Sequence, residues 1–254
     1  MNNRWSILAV LFLVRLTMAF QFQAVAALSP FLIDSLALAL ADIGLLIGVF
    51  LAPGVFIAIP GGAIAARFGD KRVVVAALAM MLFGAVLTTM ASDLSTLIAG
   101  RVIAGVGGVL LNIVTTKLLV DWFVGREIAT AMAIFVNSWP IGIALALLIL
   151  PPAAQDSGVV SAWWIVFAMI AVSFVVFAGL YRAPPGLKEA AASITRAKIP
   201  LLPLTLAGLI WALYNTGLAM VFSFGPAFFL QNGWDAPGSA KLISAFMIAF
   251  SIAV

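Results

Sequence analysis

The sequence predicts an all-α polytopic membrane protein, in which six helices form a first bundle and two more open a second. Hydrophobic residues make up 65% of the chain and charged residues 9%, against roughly 45–50% and 25% in soluble domains, so water cannot solvate most of the folded surface. Apolar stretches recur at near the ~20 residues that a helix needs to cross a ~30 Å hydrocarbon core. Lys and Arg fall almost wholly in alternate connections between those stretches, the pattern that orients membrane helices. The net charge of +4 follows from that topology, and nothing in it points to nucleic acid.

The first span runs from Trp5 to Leu28. A basic residue before the apolar run to Val14, with small residues at Ala24 to Ala27, also suits a cleaved signal peptide. Arg15 interrupts that run, however, and the following segments are long enough to span, so a first transmembrane helix is the better reading. Further spans cover Ile43 to Ala66, Val73 to Ala91, Leu94 to Val120, Ile128 to Leu150, Val159 to Tyr181 and Ile199 to Leu230. An eighth begins at Ala240 and reaches Val254, too few residues to cross. The chain is therefore expected to be the first two-thirds of a longer protein, cut within its eighth span.

One alternate set of connections carries Arg4, then Arg67, Lys71 and Arg72, then Lys117 and Arg126, then Arg182, Lys188, Arg196 and Lys198. The other carries Asp34, Asp42, Asp93, Asp156 and Asp235, with Lys241 the only basic residue near them. The basic set is expected to be cytoplasmic, which puts the N-terminus inside. The connection at 182–198 mixes Pro184, Pro185 and Gly186 with charges and follows six spans. It divides the chain into a six-helix bundle at 1–181, a cytoplasmic linker, and the start of a second bundle at 199–254. An offset of 196 residues superposes Pro30 on Pro226 and aligns Leu45–Phe50 with Lys241–Phe246 without a gap. Spans seven and eight thus read as a repeat of one and two, a parallel-repeat plan known in transporters.

The chain has no Cys and no His, and its few carboxylates lie in connecting segments. Thiolate and imidazole metal sites and a Ser/His/Asp triad are thereby excluded. No clustered acid and base remains to suggest an enzyme, and no cofactor is expected.

Between spans two and three stands Gly62-Ala63-Ile64-Ala65-Ala66-Arg67-Phe68-Gly69-Asp70-Lys71-Arg72. The fourth span contains Arg101-Val102-Ile103-Ala104-Gly105-Val106-Gly107-Gly108, and the fifth contains Asn137-Ser138-Trp139-Pro140-Ile141-Gly142. These segments resemble the loop, fourth-helix and fifth-helix motifs of the major facilitator superfamily (MFS), and together look like its cyanate-transporter-like branch. Ala66 departs from the family pattern, which has Asp there. The resemblance implies an MFS fold, a multi-pass protein of a bacterial-type inner (plasma) membrane, and alternating-access transport of a small solute. It also implies that Gly62, Arg67, Gly69, Asp70, Lys71 and Arg72 stabilise one closed state, a latch that without the Asp is either weaker or partly supplied by Asp70. Proton coupling is implied by the resemblance alone.

Two arginines stand out physically. Arg15 lies eleven residues beyond Arg4, roughly 16 Å along a helix at 1.5 Å per residue, near the bilayer midplane. A cation there costs about 2.5–3.5 kcal/mol on insertion scales, so it faces a wet cavity or a partner. Its counter-charge is open between a substrate anion, a helix C-terminus or carbonyl, and a carboxylate outside this sequence. Arg101 shares one helix face with Gly105, Gly108, Asn112 and Thr115, because steps of four and three residues return to the same side. Close packing explains the glycines but not the arginine.

Pro140 removes a backbone donor and Gly142 admits a close neighbour, so the fifth span is expected to kink there. Gln21, Gln23, Asn112, Asn137, Ser138, Tyr214, Asn215 and Thr216 are further central polar residues; singly, each is explained by interhelical hydrogen bonding. Trp211 superposes on Arg15 at the 196-residue offset, which suggests a cavity basic on one wall and aromatic on the other. The expected function is transport of a small solute, in particular an anion, with Arg15, Gln23, Arg101, Asn112, Asn137, Trp211, Tyr214 and Asn215 as candidate substrate ligands. Efflux of an apolar compound, and a membrane sensor or scaffold without a translocation path, are the alternatives.

Overall fold

The first helix starts where Asn3 accepts a hydrogen bond from the Trp5 N–H at 3.1 Å, satisfying one of the four donors that a helix leaves unpaired at its N-terminus. In the computed structural model, which describes residues 3–184 and 201–253, this helix is α1 (Arg4–Ala27) and is followed by the short α2 (Ser29–Leu36). Then come α3 (Leu40–Leu51), α4 (Gly54–Phe68), α5 (Asp70–Thr89), α6 (Leu94–Phe123), α7 (Ile128–Ser157), α8 (Val159–Leu180), α9 (Leu201–Gln231) and α10 (Ala236–Ala253). Every described regular element is helical. Seven helical stretches are long and apolar enough to cross a membrane among the described residues, with α3 and α4 together forming one of them. The fold is that of an all-α polytopic membrane protein.

Several expected boundaries move, each for a local reason. The second span is two helices, interrupted at Ala52 and Pro53, because Pro53 has no N–H for the Val49 carbonyl and its ring crowds that turn. The fifth span runs through Pro151 and Pro152 to Ser157 rather than ending at Leu150. The eighth begins at Ala236 rather than Ala240, since Asp235 Oδ2 accepts the Gly238 N–H at 3.3 Å and starts the helix earlier. Pro30 sits in the first turn of the separate α2, whereas Pro226 lies inside the continuous α9. The superposed prolines therefore do different work. The helix starts themselves keep the repeat: Leu40 of α3 and Ala236 of α10 are separated by the same 196 residues.

At the centre is α1, packed against α6, α7 and α8. Close approach is made possible by glycine at two crossings. A Cβ on Gly105 of α6 would collide with the Phe50 carbonyl of α3, and one on Gly142 of α7 with the Leu16 carbonyl of α1. The face of α6 bearing Arg101, Gly105, Gly108 and Thr115 is buried, as the spacing predicts.

One end of the bundle gathers charge. Arg4 pairs with Glu127 at 2.7 Å, Lys117 bridges Asp70 at 2.6 Å and Asp121 at 3.0 Å, and Lys71 donates to the Tyr181 carbonyl at 3.0 Å. The α4–α5, α6–α7 and post-α8 connections thus meet at the Arg4 end. Asp34, Asp42, Asp93, Asp156 and Asp235 belong to the opposite connections. The last two helices join the others towards that opposite end: Gln23 Nε2 donates to the Phe222 carbonyl at 2.7 Å, and Ser244 Oγ to the Ala144 carbonyl at 2.9 Å. Lys188, Arg196 and Lys198, with most of the 182–198 connection, lie outside the described residues.

Candidate functional site

At mid-depth the helices leave a cavity of about 430 Å³. Arg15 of α1, Asn112 of α6 and Asn137 of α7 line it on one side, and Trp211, Tyr214 and Asn215 of α9 on the other. Their common depth follows from the chain path. Each lies nine to fourteen residues in from its helix terminus at the Arg4 end, about 14–21 Å at 1.5 Å per residue.

Arg15 is held by neutral acceptors. Its Nε donates to Asn112 Oδ1 and its Nη1 to the Phe135 carbonyl, both at 3.1 Å, and the guanidinium lies 4.7 Å from the centroid of the Phe135 ring, a cation–π contact. Nη2 has no hydrogen-bond partner among the described residues, and the side chain is only partly buried. Pro140 matters here: it lacks the N–H that would pair with the Val136 carbonyl, and both Val136 and Pro140 border the cavity. The neighbouring Phe135 carbonyl then takes the Arg15 N–H and the Ser138 hydroxyl, the latter at 2.6 Å. No carboxylate lines this cavity among the described residues, so the charge of Arg15 is positioned but not neutralised.

Arg101 and Gln23 are not brought to the cavity. Arg101 is 1% exposed; its Nε, Nη1 and Nη2 donate to the carbonyls of Leu46, Gln21 and Phe22 at 3.0, 2.8 and 3.0 Å, with the guanidinium 4.4 Å from the Phe50 ring centroid. Gln23 is buried at the contact with Phe222. Asn137 Nδ2 donates to the Ala133 carbonyl at 3.1 Å and Asn215 Nδ2 to the Trp211 carbonyl at 2.8 Å, so each amide is turned partly onto its own helix.

The residues from Gly62 to Arg72 lie far from the cavity in chain path, at the Arg4 end. Gly69, with φ of +88°, makes the turn between α4 and α5, a conformation that disfavours any side chain. Asp70 and Lys71 make the cross-bundle bonds given above, Arg67 stacks 5.5 Å from the Phe68 ring centroid, and Gly62 and Arg72 are exposed. Lys117 and the buried Tyr181 complete this cluster. Sequence spacing had no means to pair Asp70 with Lys117, which is 47 residues away.

The residue-level reading missed five lining side chains: Leu51, Val136, Trp139, Leu218 and Phe250. All but Trp139 are ordinary apolar residues of apolar helices. Trp139 carried a signal, since it stands between Asn137 and Pro140.

Comparison with known proteins now bears on this architecture. A relative described as an uncharacterized transporter, from Buchnera aphidicola subsp. Schizaphis graminum (strain Sg), is 27% identical over 137 residues, covering 53% of this chain and 34% of the relative. Among solved structures, a D-xylose-proton symporter superposes with a TM-score of 0.76 at 13% identity, over 98% of this chain and 66% of that one. A bacterial homolog to the human lysosomal transporter Spinster, in an inward-facing and unoccupied conformation, gives 0.73 at 18% identity over 96% and 59%. A peptide transporter POT in complex with alafosfalin gives 0.60 at 20% identity over 85% and 47%. The chain thus spans about a third of that curated relative and roughly half to two-thirds of these structures. At such identities the structures speak for the fold. The sequence itself matches the Major Facilitator Superfamily family model over residues 11–254, nearly its whole length, and on that match the chain belongs to the Major Facilitator Superfamily.

Proposed function

We propose that this chain carries the substrate cavity of a secondary active membrane transporter that moves a small anionic solute by alternating access, with Arg15 as its charge anchor. One observation carries the reading: Arg15 lines a mid-depth cavity, and among the described residues its partners are neutral acceptors, with Nη2 left without one. An intramembrane cation so placed marks a functional site by default. The resemblance of the Arg101 and Pro140 segments to the cyanate-transporter-like branch agrees with an anion. Residues 1–181 then form one bundle and 199–254 open the other, with the site between them. The basic connections put the Arg4 end in the cytoplasm, of a bacterial-type inner membrane. Because the halves touch towards the opposite end, the state described is open inward. The aromatic walls favour efflux of an apolar compound as a second reading.

The test uses the protein expressed from its complete reading frame and an anion found by screening. Arg15→Gln is expected to weaken that anion's binding about 10–100-fold, the worth of one charge-assisted contact at ~1.5–3 kcal/mol, while the melting temperature holds. Arg15→Lys keeps the charge without the planar fork and is expected to be intermediate. Unchanged affinity in Arg15→Gln returns Arg15 to a structural role.

A further inference from the structure

We infer that the solute held at Arg15 is an amphipathic organic monoanion, its charged end on the guanidinium and a flat apolar body against the aromatic side chains of α7, α9 and α10. This rests on the anion reading above and narrows it.

Three features of the cavity carry the narrowing. The first is size. At a liquid share of ~30 Å³ per water, the 430 Å³ holds on the order of fourteen waters, and an inorganic ion of three or four atoms displaces only a few of them. The volume falls instead within the roughly 300–1,000 Å³ of pockets that enclose organic molecules. The second is charge: Arg15 is the only cation lining the cavity among the described residues, because Arg101 is spent on carbonyls. A second anionic group would be desolvated there without a partner. The third is the wall. Trp139, Trp211, Tyr214 and Phe250 border the space, with the Trp211 and Tyr214 rings 6.3 Å apart. Aromatic rings opposite a fixed cation suit a ligand that is apolar at one end and anionic at the other.

The experiment measures binding to the purified protein, expressed from its complete reading frame, by titration calorimetry with four probes: 3-phenylpropanoate, its neutral amide, propanoate and nitrate. Phenylpropanoate is expected to bind at least about tenfold more tightly than the other three, the scale of one charge-assisted contact or one buried ring. Trp211→Ala removes one ring of the wall, with a melting curve to check that the fold is kept; it is expected to weaken phenylpropanoate several-fold and propanoate far less. Arg15→Gln is expected to abolish the preference for acid over amide. Nitrate or propanoate binding as tightly as phenylpropanoate, with dependence on Arg15, overturns the amphipathic class but leaves the anion reading standing. Amide binding equal to acid, with Arg15→Gln silent, overturns both. Absence of phenylpropanoate binding at millimolar concentration also overturns the narrowing.

Discussion

Arg15 and Arg101 show how two cations in apolar helices come to different uses. Both are held by uncharged oxygens, so neither is neutralised by a carboxylate among the described residues. The difference is access. Arg101 spends all three nitrogens on carbonyls of α1 and α3 and is sealed against the Phe50 ring, so its guanidinium pins those helices to α6. Arg15 lines the cavity, and its Nη2 has no hydrogen-bond partner among the described residues. Arg101→Lys is therefore expected to lower stability, because one ammonium cannot reach three divergent carbonyls as a planar fork does. The loss should be on the order of 3 kcal/mol, as for large truncations in a packed core. Detergent-solubilised melting curves check this, and a melting temperature equal to that of the unchanged protein would rule out the clamp.

Helix packing sets where Arg15 stands. The contact of α1 with α7 depends on Gly142, whose missing Cβ leaves room for the Leu16 carbonyl, one residue from Arg15. Gly142→Ala is expected to force the two helices apart at a cost of about 1–3 kcal/mol, the range for overpacking. It should also weaken solute binding, although Gly142 does not line the cavity, because the Phe135 carbonyl moves away from Arg15 Nη1. Gly179→Ala on α8, where an added Cβ meets nothing within 4 Å, serves as the control and should be silent. Equal behaviour of the two variants in melting and binding assays would refute the close-approach argument. Elsewhere, element ends follow local chemistry. Asp93 starts α6 by accepting the Thr96 N–H at 2.9 Å and its hydroxyl at 2.8 Å, and those bonds hold the Asp93 carboxyl below its usual range.

For the whole molecule, the ion pairs at the Arg4 end and the acidic connections at the other make topology testable in a chain without native cysteine. Asp156→Cys is expected to label with an impermeant maleimide in intact cells, and Arg126→Cys only after permeabilisation; the reverse pattern inverts the topology. The join between the last two helices and the rest is equally accessible to experiment. Gln23→Leu removes the 2.7 Å bond to the Phe222 carbonyl, which Pro226 leaves without a helical donor, together with a buried acceptor, Gln23 Oε1, that has no partner among the described residues; the stranded Phe222 carbonyl is then expected to draw water into this contact. Opening of that end is then expected to raise the labelling rate of Ser223→Cys, a position now 3% exposed. If the rate is the same with Gln23 and with Leu, this bond does not hold the halves together.

Span number, the alternation of charged ends and the depth of Arg15 were legible from residue order, because each depends on counting apolar and basic residues along one chain against a fixed bilayer thickness. The buried face of α6 was legible for the same reason, as helical periodicity is a local property. The break at Ala52 and Pro53 was not, nor the persistence of α7 through two prolines, since neighbouring helices decide whether a proline ends a helix or is absorbed by it. Arg15 and Arg101 looked alike in sequence, both single cations in apolar runs; only packing placed one on a cavity and the other against three carbonyls. Leu218 and Phe250 became wall residues by the same route. A cavity is the space that packed helices leave between them, and residues far apart in the chain set it jointly, so the sequence determined which helices cross the membrane and the tertiary structure decided what they enclose.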